Sequence, residues 1–109
     1  MTTAYKLLGQ ITPNANTMTN LYTTGAATQA IVGTITINNM NDANAAYSLI
    51  VRPTAVAQSD THYIIRGGVI PPRELVTING AVAMNASVLI AANTNSNNII
   101  FNAYGAEIT

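Results

Sequence analysis

One histidine, four acidic and four basic residues are all this chain offers for charge-based chemistry. His62 is the single imidazole, and a general base of that kind works when the fold sets a carboxylate or a nucleophile beside it. Asp60 lies two positions away and would share its face on a strand, but Ser59-Asp60-Thr61 reads as loop, so His62 is expected to be structural or exposed. A glycosidase pair would have to come from Asp42, Asp60, Glu74 and Glu107. Single acids beside Arg73 or inside Asn-rich turns read instead as surface ion pairs and turn residues. One His, dispersed carboxylates and no Cys match none of the compact metal-ligand spacings. Gly67-Gly68 has neither phosphate-loop pattern and opens no helix, so a bulge or a close backbone approach is the expected use. No catalytic residue, metal or cofactor is expected, and the chain reads as a non-enzyme.

Tyr5, Tyr22, Tyr47, Tyr63 and Tyr104 could stack on bases or sugars, yet Lys6, Arg52, Arg66 and Arg73 are too scattered to line a basic groove. Nucleic acid is not an expected partner. All five tyrosines fall on expected strands, where packing at the core edge or at a subunit interface is the commoner role. Thr34-Ile35-Thr36 presents spaced hydroxyls, as ice-binding faces do, but without a repeat it reads as a solvent face or one that meets another protein.

These residues must be held by a small scaffold. At 109 residues and 11.4 kDa the chain is expected to be one domain over 1–109. Apolar residues make up 49%, whereas only 7% are charged, against roughly 25% in an ordinary globular domain. The surface must therefore be uncharged polar, a part filled by 17 Ala, 15 Thr and 14 Asn at zero formal net charge. The longest aliphatic stretch, Val88 to Ala92, is far below the ~20 residues that span a bilayer, so neither a membrane nor a leader segment is expected.

Period-two alternation marks the strands. Thr28 to Asn38 sets Ile31, Gly33, Ile35 and Ile37 against Ala30, Val32, Thr34 and Thr36, and its β-branched residues favour a pleated surface. Ala45 to Arg52 follows and ends at Pro53. His62 to Arg66 and Val69 to Ile70 form a run interrupted by the glycine pair. Glu74 to Ile78 and Ala81 to Met84 are expected to be joined by a tight hairpin at Asn79-Gly80, since both positions tolerate positive φ. Tyr5 to Ile11, Asn20 to Thr23, Ser87 to Ala92 and Ile99 to Glu107 complete the series. No window carries a helical apolar stripe. About eight short strands without crossover helices predict an all-β, single-domain antiparallel β-sandwich, Ig-like or jelly-roll-like.

Such a sandwich has strand edges to protect and almost no charge to protect them with. A homo-oligomer or a place in a larger lattice covers those edges, and an interface of Thr, Asn, Ala and Ile avoids desolvating charge. Threefold symmetry is a natural closed arrangement.

The segments Tyr5–Gln10, Thr19–Thr23, Thr28–Ile37, Val51–Pro53, His62–Ile64 and Phe101–Ile108, in this order along the chain, resemble small virion structural proteins of tailed bacteriophages, including cyanophages. Ser87 departs from that pattern, where similar sequences often carry an Asp. The resemblance implies a capsid decoration or cement protein on the phage head surface: a trimeric β-sandwich seated on the major capsid protein lattice and bracing the shell. The expected contacts are Tyr5, Lys6 and Leu7, within a segment 1–12 read as a free contact arm, and Pro71, Pro72 and Arg73, read as a stiff protrusion. A tail, baseplate or fibre component and a carbohydrate-binding adhesin are the alternatives. The adhesin would need Tyr and Asn side chains clustered in an exposed groove.

Overall fold

The structure, a computed structural model, describes residues 3–109, with the backbone alone at Gly80 and Ala81. Its strands are β1 (Thr3–Ile11), β2 (Thr19–Thr23), β3 (Gln29–Asn39), β4 (Ala45–Pro53), β5 (Tyr63–Ile70), β6 (Leu75–Met84), β7 (Val88–Thr94) and β8 (Ile99–Ile108). They form two four-stranded sheets, β1-β8-β3-β6, here the front sheet, and β2-β7-β4-β5, the back sheet. Every pairing is antiparallel. Apart from β4 to β5, each connection carries the chain from one sheet to the other. That order is the double Greek key of a jelly roll, which decides between the two expected sandwiches.

The inner faces meet in one core. Phe101, Ile35, Ile37, Leu49, Ile90 and Ile99 are fully buried, and Tyr47 meets Phe101 edge-on at 6.5 Å between ring centroids. Burial of such side chains is worth roughly 1.5–3 kcal/mol each and is the main force closing the sheets.

Bulges correct three expectations. The hairpin at Asn79-Gly80 does not form: β6 runs through it as one strand. Val32 pairs with Val82 and Thr34 with Asn79, so one residue of β3 faces two of β6. The permissive backbone of Asn-Gly is used for a slip in register, not for a reversal. The slip also divides β3. Ala30 and Val32 are buried before it, Ile35 and Ile37 after it, and Ile31 is turned out to solvent, so Ile31 does not share a face with Ile35 and Ile37. Finally, β5 is continuous through Gly67-Gly68. Gly67, at φ 74°, is the extra residue of a bulge and its N–H donates to Ser48 Oγ at 3.1 Å, while a Cβ on Gly68 would come within 2.6 Å of the Tyr47 ring. Both expected uses of the glycine pair are present.

The segment expected to be a free arm is an edge strand. From Thr3 to Ile11 it pairs with β8, slipping once between Leu7 and Gly9; residues 1 and 2 lie outside the described residues.

Candidate functional site

The dispersed charges are used locally. His62 closes a single 3-10 turn, Asp60–His62, where its Nδ1 accepts the Ser59 N–H at 3.0 Å. Asp60 faces Arg66 at 3.6 Å rather than the imidazole, and the Arg66 guanidinium lies 5.1 Å over the Tyr63 ring. Asp42 pairs with Arg73 at 2.6 Å. Among the described residues no group of three or more His, Asp or Glu side chains lies together.

Glu107 is the exception in kind, because it joins the two sheets. Its carboxylate bonds the Lys6 ammonium of β1 and accepts the Tyr22 phenol of β2. Lys6, then Tyr22, hold the carboxyl below its ordinary range. Burial, then Glu107, push the Tyr22 phenol up. Lys6 and Glu107 are the only charged residues in the four strands of the front sheet, and each neutralises the other on its inner side.

Among the described residues the outer side of that sheet is therefore poor in charge, with the half-exposed Lys6 at the margin of its hollow. Strand alternation turns Tyr5, Leu7, Ile31, Tyr104 and Leu75 outward, between 42% and 87% exposed. Tyr5 pairs with Ala106, and Ala106 with Ile31, so these side chains lie side by side across three strands. An open hollow of about 740 Å³ lies among Tyr5, Ile31 and Tyr104, bounded also by Thr3, Lys6, Gly33, Thr34 and Ile108. It borders the level where the register slips at Leu7/Gly9 on β1 and at Val32/Thr34 on β3, bends that break the flatness of the sheet. The other half of the same face carries Thr34, Thr36, Thr77 and Asn102. Asn102 Oδ1 is closed off from solvent and has no hydrogen-bond partner among the described residues.

The six expected contact residues separate. Tyr5 and Leu7 belong to the bare face, whereas Lys6, which borders its hollow, gives its ammonium to Glu107 on the inner side. Pro71, Pro72 and Arg73 are exposed at the far end of the sandwich, roughly 25 Å away by strand length. That loop is pinned. Fully buried Asn39 donates through Nδ2 to the carbonyls of Ala43, Ile70 and Pro71 at 2.9–3.1 Å and accepts the Asn41 N–H. Arg73 itself sits at φ 56° with its N–H on the Asn41 carbonyl. Sequence reasoning missed Ile31, Tyr104 and Ile108 as a surface. The alternation of β8 was a usable signal; the bulge that turns Ile31 outward was not.

No family profile and no curated protein matches the chain. Among solved structures, it is similar to a chain of the infectious bursal disease virus Gx strain, at 7% identity and a TM-score of 0.51, over 98% of this chain and 32% of that one. A chain of the T13 particle of the same virus superposes over 96% of this chain and 30% of the other, at 8% identity and a TM-score of 0.49. The chain thus spans about a third of the length of these viral chains. The likeness at the Gx strain chain is one of fold, the antiparallel β-sandwich.

Proposed function

We propose that the protein is a structural component of a virion, most specifically a phage capsid decoration protein that docks on the major capsid protein lattice through the bare face of its front sheet and acts as a homotrimer. The observation that carries this reading is the charge-poor, partly apolar outer face of one sheet, centred on Tyr5, Ile31 and Tyr104. Contiguous exposed apolar surface marks protein contact sites, and interface centres are poor in charge and rich in Tyr. The jelly roll is a recurrent architecture of capsid domains, and the similar chain of the Gx strain comes from the structure of a virus. Many copies, each burying an ordinary area, reinforce a shell together without any single contact being strong.

The test is to add the purified protein to decoration-free heads and image them. Ordered density at quasi-threefold positions, with the front sheet against the shell, is the expected result. Ile31→Arg should abolish that density while leaving the melting temperature of the free protein within a few degrees, because the side chain is already in water. Absence from the shell, or undiminished binding by Ile31→Arg, would overturn the assignment; density in the tail would move the protein there.

A further inference from the structure

We propose that the loop end of the sandwich carries a site for a neutral oligosaccharide, separate from the bare face. Alternate jelly-roll connections return to one end, so residues 12–18, 40–44, 71–74 and 95–98 gather there. They enclose an open cleft of about 560 Å³ lined by Asn41, Asp42, Asn44, Asn95, Asn97 and Asn98, a volume within the usual range for ligand sites.

The cleft is held in shape by half of its own amides. Asn97 Oδ1 accepts the Ala15 N–H at 2.8 Å, Asn95 Oδ1 accepts the Ala46 N–H at 2.9 Å, and Asn41 Nδ2 donates to the Asn97 carbonyl at 2.7 Å. The other half stays open. The Nδ2 groups of Asn95 and Asn97 have no protein partner among the described residues, and the Asn44 side chain has none at either atom. An adjoining hollow of about 140 Å³ shares Asn95 and is lined also by Asn16 and Asn93, extending the run of amides.

The chemistry selects the ligand class. A carboxamide offers both donors and an acceptor, which suits hydroxyl groups that also do both. Arg73, the cation at this end, already holds Asp42 Oδ1, so a polyanion finds a carboxylate and no free positive charge. No aromatic side chain lines the larger cleft to stack a sugar ring, which puts the affinity of one site at a Kd of the order of 1 mM, raised by the many copies of an assembly.

The full chain, labelled with nitrogen-15, is titrated to ~10 mM with maltohexaose, cellohexaose or N-acetylchitohexaose, and with oligogalacturonate as the acidic contrast, a range set by that affinity. Saturable shifts of the Asn44, Asn95 and Asn97 side-chain amides with at least one neutral oligosaccharide are expected. Asn44→Ala, which removes no hydrogen bond of the fold, should weaken binding about fivefold at unchanged melting temperature. No saturable shift with any of the three, shifts that map outside the cleft, or a preference for oligogalacturonate would overturn the proposal.

Discussion

The outer faces of the two sheets are treated oppositely by the same chain. On the back sheet, Ile50, Leu89 and Ala91 point away from the main core and form a second cluster, buried beneath Met18 and Tyr63. The 54–62 excursion before β5 adds a lid of hydrogen bonds on that side, among them Arg52 to the Val56 carbonyl at 2.7 Å. The front sheet has no such cover: Tyr5 stands 87% exposed over its hollow. Edges follow the same division. β2 is five residues long, and β5 carries Arg66 and two register slips, whereas β1 and β6, with one slip each, are nine and ten residues long with one lysine between them, already bonded to Glu107. Short, bulged or charged edges resist pairing with strangers; long uncharged ones do not. The chain covers the β4–β7 part of the back sheet with its own residues, leaving only Ile64 and Val69 of β5 exposed among its large apolar side chains, and leaves the front sheet for something else to cover.

Substitutions can break or sharpen that contrast. The largest effect is expected at Ile50→Ala on the sealed face, a loss of about 2–4 kcal/mol in urea denaturation, since a fully buried side chain leaves a cavity. A loss under about 0.5 kcal/mol would mean that the back face is no more closed than the front. An intermediate effect belongs to the Lys6–Glu107–Tyr22 clasp, which stitches the front sheet's edge strand to the back sheet. Glu107→Gln should cost of the order of 1 kcal/mol at neutral pH, one partly exposed ion pair and one phenol hydrogen bond.

That contribution depends on pH. The folded-state value of Glu107 is lowered, so its stabilisation is full above the ordinary 4.5 and drains away as pH falls from there through the lowered value. Denaturation midpoints of the parent and of Glu107→Gln should converge below pH 4.5; parallel curves down to the acid limit would remove the clasp from the account. The smallest effect is expected on the bare face. Tyr5→Ser should change stability by less than about 0.5 kcal/mol despite deleting a whole ring. A loss several times larger would show the ring to be part of this chain's own core and would erase the difference between the faces.

Much of this was legible from alternation alone. Strand ends agree to within two residues because Thr, Ile and Val at period two admit little else, except that the two strands expected on either side of Asn79-Gly80 are one. Strand order was not legible: spacing is the same for an Ig-like sandwich and a jelly roll, and only pairing between distant segments, such as β1 with β8, separates them. Bulges were the second blind spot. Asn79-Gly80 has the same chemistry whether it reverses the chain or slips its register, and only its pairing with the distant β3 tells the two apart. Asn39 was the third. Composition places Asn in turns, and this one does end β3, yet it is wholly buried and ties two loops through four hydrogen bonds that no local pattern announces.

The missing charge on the front face has an electrolyte consequence. Ion-paired contacts weaken as salt rises, because mobile ions screen them within a few ångströms. A contact made by Tyr5, Ile31 and Tyr104 has little to screen beyond Lys6, already paired with Glu107, and strongly hydrated salts such as sulfate tighten it. Brine, which loosens many protein assemblies, should leave this one seated.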